Sequence, residues 1–119
     1  MRLREIRECF KTNQDFIGAV NSALREIAEK NPDFIYRPKG VFTGCNYNRG
    51  SGDGPECSGC LFGQAFQMLG WSKGGIDSSR RIIALCNHYD IPYQENWRFV
   101  QNAQDGGDSF SEAVKFLDR

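Results

Sequence analysis

Gly54-Pro55-Glu56-Cys57-Ser58-Gly59-Cys60-Leu61-Phe62-Gly63-Gln64-Ala65-Phe66-Gln67-Met68-Leu69-Gly70 is the stretch where a polar loop turns into an apolar helix. Upstream of the turn, Gly44, Gly50, Gly52, Gly54 and Pro55 crowd residues 44–56 and predict a surface loop, because glycine and proline interrupt regular structure. Downstream, Leu61, Ala65, Met68 and Leu69 recur at helical spacing, which predicts a helix from about Ser58 or Cys60 to Leu69 with those side chains inward. Gly70 can adopt the left-handed conformation that stops such a helix, and Trp71 is expected to fold back over the core.

Working outward, Leu3, Ile6 and Phe10 share one face of a short first helix. Thr12 reads as an N-cap with Asp15 three residues on. Phe16, Ile17, Val20, Leu24, Ile27 and Ala28 then follow with helical period until Asn31-Pro32 closes the element. Phe34-Ile35-Tyr36 and Val41-Phe42-Thr43 are β-prone and flank the turn signal Pro38-Lys39-Gly40, so they predict a small hairpin packed on helices. After Trp71, Asp77 or Ser78 is expected to cap a helix through Ile82, Ile83, Leu85, Cys86 and Tyr89, ended by Asp90 to Pro92. Trp97, Val100 and Ala103 mark a further helix broken at Asp105-Gly106-Gly107, and Ser109-x-x-Glu112 opens a last one with Phe110, Ala113, Val114 and Leu117. The expected fold class is mainly α with a small β-hairpin (α+β), a single compact helical domain over residues 1–119.

Fifteen basic residues balance fifteen acidic ones, so no global field draws the chain to nucleic acid or an anionic membrane. No run approaches the 18 or so apolar residues of a membrane span. The N-terminus Met1-Arg2-Leu3-Arg4-Glu5-Ile6-Arg7 is charged, without the apolar core of a signal peptide, and a cytoplasmic site is expected. In that compartment an odd set of five cysteines argues against a disulfide scaffold and leaves buried thiols, a metal site or a reactive thiol.

Cys45-x-Tyr47, a variable loop, Pro55, then Cys60-Leu61-x-Gly63-x-Ala65-x-x-x-Leu69-Gly70 resembles a group of small proteins encoded by actinobacteriophages and actinobacterial genomes. Gln101-x-x-Gln104-Asp105-x-Gly107-x-x-Phe110-x-Glu112-Ala113-Val114 and the segment Glu29-Lys30-Asn31-Pro32-Asp33-Phe34-Ile35-Tyr36 extend the resemblance over most of the chain. Phe110 stands where that group usually has tryptophan, and Cys57 is an addition. The resemblance carries no activity with it. It implies a phage-type accessory protein in a bacterial host cytoplasm.

Three chemistries compete for the cysteine-bearing loop. Cys57-x-x-Cys60 has zinc-knuckle spacing, and Cys45 with Cys86 or His88 would complete a tetrahedral site. A second paired motif is missing, and Cys86 sits on the apolar side of its helix as a packing thiol does. Glu56-Cys57-Ser58-Gly59 resembles the nucleophile segment of NlpC/P60 cysteine peptidases, which implies Cys57 (or Cys60) as nucleophile with His88 as its base. His88 lies in a helical pattern instead of at the start of a strand, and the match spans about four residues. Arg49-Gly50-Ser51-Gly52-Asp53-Gly54 could cradle an anion, but it lacks a P-loop ending, and Asp53 and Glu56 repel phosphate. Arg49 and Asp53 are better read as protein contacts on an exposed loop. Asp105, Asp108 and Glu112 lack EF-hand spacing and suit a helix N-terminus, and Lys73 with Arg80-Arg81 makes only a small basic patch.

Trp97 and Phe99, two apart on a helix, cannot both face inward, so one of them is expected at the surface as an interface anchor. No complete acid–base, nucleophilic or metal constellation assembles from these residues. The expected function is therefore binding of a host or defence protein through the glycine-rich loop and exposed aromatics, with no cofactor, membrane or nucleic acid. A cysteine-dependent hydrolase and a small structural zinc module are the alternatives.

Overall fold

A computed structural model describes residues 2–36, 60–71 and 81–118. Among them are six α-helices, α1 (Leu3–Glu8), α2 (Asn13–Lys30), α3 (Leu61–Met68), α4 (Ile82–Tyr89), α5 (Asn96–Asp105) and α6 (Phe110–Val114), closed by a 3-10 turn (Lys115–Asp118). The glycine-rich loop, Val41-Phe42-Thr43, Asp77 and Ser78 lie outside the described residues.

Helix α2 follows its sequence signals at both ends. Thr12 Oγ1 accepts the Asp15 N–H at 3.0 Å, and the Asn31 N–H closes on the Ile27 carbonyl at 3.0 Å. Phe16, Val20 and Leu24 are fully buried, four residues apart in turn, and give α2 the apolar stripe against which α3 and α6 pack. Helix α1 buries Leu3 and Ile6, and Phe10 beyond its end meets Phe16 edge-on with centroids 6.0 Å apart.

The other helices are short, and short helices depend on what satisfies their first N–H groups. At α3, α4 and α6 some of those acceptors come from far away in the chain. The Leu61 N–H that starts α3 donates to Gln104 Oε1, and the Ile82 N–H that starts α4 donates to Gln101 Oε1, each at 2.7 Å. Neither Cys60 nor Arg81, the residues at the two N-cap positions, caps its own helix. This corrects the expected Asp77 or Ser78 cap: α4 begins at Ile82, where Gln101 supplies the acceptor. At α6, Phe110 and Ser111 donate to the carbonyls of Phe34 and Pro32 at 2.9 and 3.1 Å, while Ser109 Oγ takes the Glu112 N–H.

That last arrangement redefines Phe34-Ile35-Tyr36. Its backbone serves the start of α6, and Ile35 forms one isolated antiparallel bridge with Ser109. No strand occurs among the described residues, and the other half of the expected hairpin lies outside them. The described part of the fold is helical.

The ends of α3, α4 and α5 share one solution. Trp71 N–H returns to the Phe66 carbonyl, Ile91 to Cys86 and Asp108 to Ala103, each across a left-handed residue: Gly70, Asp90 and Gly107. This is the six-to-one hydrogen bond of a Schellman ending, which uses the orphan carbonyls of the last turn. Asp90, at φ 53°, is the one non-glycine of the three.

The buried side chains form one continuous cluster running from Leu3 to Leu117. Helix α3 enters it with Leu61, Phe62, Ala65 and Phe66, all fully buried, whereas Met68, expected inward, is 42% exposed. Two phenylalanines four residues apart bury more apolar area than a leucine and a methionine at the helix end, and they set the rotation. Ile83 is likewise turned outward at 41% exposure while Ile82 and Leu85 are buried.

Candidate functional site

Helix α5 carries the residues on which both the core and the surface reading depend. Trp97, Val100, Gln101 and Gln104 are its buried stripe, at positions i, i+3, i+4 and i+7. Trp97 is fully enclosed, with its ring centroid 5.8 Å from Phe62 and 6.2 Å from Tyr93. Its Nε1–H donates to Asn21 Oδ1 at 2.7 Å, and the Asn21 amide donates onward to Gln94 Oε1 at 2.9 Å. This polar strand fixes the roll of α5 against α2. Trp97 is thus a core residue and leaves the set of binding candidates, because the same stripe that needs its apolar body also satisfies its one polar atom.

Phe99 faces the other way. It is 43% exposed. The Arg98 guanidinium lies 5.0 Å from the centre of its ring and is ion-paired with Glu95 at 2.6 Å. Glu95 precedes the helix and Arg98 and Phe99 lie on its first two turns, so the three form a compact patch on a face whose opposite side is locked into the core.

No protein-family model, curated protein or solved structure matches the chain.

The cysteine readings fare differently. Cys60 is fully buried and disulfide-bonded. Cys9 and Cys86 are free thiols, so the sulfur paired with Cys60 lies outside the described residues. The odd cysteine count argues against a disulfide scaffold as a whole, and Cys60 shows that a single pairing still occurs: a compartment argument concerns whether a bond persists, not whether two sulfur atoms come within reach. A disulfide sulfur is neither a nucleophilic thiolate nor a zinc ligand, and Cys60 drops out of both sets. Burial pushes the Cys86 thiol up to about 12, which makes it a packing group. His88 is exposed at the end of α4 with its ring edge-on to Tyr89 at 4.7 Å. Positions two apart on a helix point roughly 200° apart, so Cys86 and His88 diverge and cannot act on one atom. Among the described residues no group of three or more His, Cys, Asp or Glu is placed to hold a metal ion. Cys45 and Cys57, and with them Arg49 and Asp53, lie outside the described residues. No described helix is long and apolar enough to cross a membrane.

These placements predict a labelling pattern. Iodoacetamide at pH 8 on the native, unreduced protein is expected to modify exposed Cys9 and to leave Cys86 untouched until denaturant is added, because so few Cys86 thiols are ionised there. Peptide mapping checks it, and Cys86 reacting as fast as Cys9 contradicts its enclosure.

Sequence reasoning missed the glutamines as helix caps. A signal was present: Gln101 and Gln104 occupy inward positions of the stripe begun by Trp97, and a polar side chain at such a position must have a buried partner.

Proposed function

We propose that the protein acts by binding a protein partner rather than by catalysis, with Phe99 on the outer face of α5 as the anchor. The observation that carries this reading is a large aromatic ring, 43% exposed, on a helix whose opposite side is immobilised by Trp97. Such a ring buries much apolar surface on contact and has little freedom left to lose, which is why aromatic and arginine side chains dominate interface energetics. The surface that fits it is an apolar pocket for Phe99, edged by polar groups that meet the Arg98–Glu95 pair. The resemblance to actinobacteriophage proteins supports a bacterial host or defence protein as that partner.

Affinity capture from a bacterial lysate tests the reading, with wild type and Phe99→Ala run side by side. A captured protein is expected to bind the variant about 2 kcal/mol, or roughly thirtyfold, more weakly. Stability is expected to change by less than about 0.5 kcal/mol, since Phe99 lies outside the core. Equal retention by both proteins overturns the proposal, as does a lysate from which wild type retains nothing above background.

A further inference from the structure

At the opposite side of α4 from its glutamine-capped start, the chain end of that helix meets α1 and forms a cleft of about 430 Å³. Two arginines and two carboxylates line it, so its formal charge is zero, but the charges are not evenly matched. Arg4 Nη1 binds Asp90, the left-handed residue at the end of α4, at 2.6 Å. Arg7 has no such partner. Its Nε donates to Asn13 Oδ1 and its Nη1 to the Phe10 carbonyl, both at 2.9 Å and both neutral acceptors. No described carboxylate pairs with it, and its other N–H groups have no partner among the described residues. Glu8 is the converse case. Its one ion pair among the described residues is with Arg4 Nε, at 3.9 Å, and Arg4 is already committed to Asp90.

The cleft therefore presents a guanidinium held in place by two neutral hydrogen bonds, beside a carboxylate with only a distant partner. Asn13 adds a donor, because its oxygen is turned to Arg7 and its amide nitrogen has no partner among the described residues. Ile91 and Pro92 supply an apolar wall. We infer that this cleft binds a small zwitterion, a free α-amino acid or dipeptide with an apolar side chain. Its carboxylate accepts from Arg7 and Asn13, its ammonium donates to Glu8, and its side chain rests on Ile91 and Pro92. A planar guanidinium fork suits a carboxylate in two-point contact. A phosphate dianion is disfavoured, because Glu8 and Asp90 flank the position it would occupy.

NMR titration of the full-length, isotope-labelled protein tests the inference, observing the arginine Nε–H resonances. The probes are leucine, N-acetyl-leucine (carboxylate only), leucinamide (ammonium only) and inorganic phosphate. Leucine is expected to shift the Arg7 resonance in the millimolar range and to bind at least about tenfold more tightly than either half-ligand. Arg7→Gln and Glu8→Gln are expected each to weaken leucine binding by a similar factor, with helical circular dichroism showing whether α1 stays docked. The comparison of ligands on the wild type needs no variant, so a misfolded Arg7→Gln does not shield the idea. Leucinamide or phosphate binding as tightly as leucine overturns it. So does an Arg7 resonance that stays still throughout.

Discussion

Trp97→Ala is expected to leave little folded protein at 37 °C. Truncating a fully enclosed tryptophan removes its transfer free energy and opens a cavity, which together cost about 3–5 kcal/mol in well-packed cores. The indole N–H also goes, and Asn21 Oδ1 loses the donor at 2.7 Å that links α2 to α5, for about 1 kcal/mol more. Domains of this size have a total stability of about 5–15 kcal/mol, so the combined loss takes most of what a modest member of that range has. Urea unfolding followed by circular dichroism measures it, and Trp71 remains as a fluorescent reporter in the variant. Trp97→Phe is the informative companion. It keeps most of the packing against Phe62 and Tyr93 but drops the hydrogen bond, and it is expected to fall about 1–2 kcal/mol below wild type. A Trp97→Ala variant within about 1 kcal/mol of wild type would mean that the ring is not the wedge between α2, α3 and α5 that its burial indicates.

The contrast between Trp97 and Phe99 also shows which parts of this protein its residues spell out locally. That the two cannot face the same way follows from helical geometry alone, but which one turns inward depends on Phe62, Tyr93 and Asn21, none of them a neighbour in the helix. Helix α2 was legible from end to end because everything it needs lies within it: the Thr12 cap, the period of Phe16, Val20 and Leu24, and the Asn31-Pro32 stop. The glycine stops after α3 and α5 were legible for the same reason. The start of α4 was not, and at α3 and α6, whose starts near Cys60 and at the Ser109 cap were legible, the distant acceptors were not. Their acceptors are Gln104, Gln101 and the carbonyls of Pro32 and Phe34, and the nearest of these is 19 residues away for Ile82 and 43 for Leu61 at the two glutamine contacts. A local rule looks for a serine or aspartate just before the helix and so points to Asp77 or Ser78. The cleft between α1 and the end of α4 was hidden by the same kind of separation, since Arg4 and Asp90 are 86 residues apart.

If distant acceptors are what start the short helices, removing them has a defined consequence. Gln101→Met and Gln104→Met preserve length and much of the volume of each side chain while deleting its oxygen. Each leaves a buried N–H, of Ile82 or of Leu61, without its acceptor, at an expected cost of about 1–3 kcal/mol. Gln104→Met carries a second loss, because the Gln104 amide also donates to Asp105 Oδ1 at 2.7 Å. The residues are three apart on one face of α5, so the double variant is not expected to equal the sum; once one helix start frays, the other has less to hold it. Urea unfolding gives the magnitudes, and amide hydrogen exchange gives the location: protection at Leu61 is expected to fall in Gln104→Met with Ile82 little changed, and the reverse in Gln101→Met. Losses below about 0.5 kcal/mol, or exchange that quickens equally at both amides, would show that these N–H groups find other acceptors. In that event the two inward glutamines of α5 are not what tie α3 and α4 to it, and the placement of the Phe99 face relative to the core needs another cause.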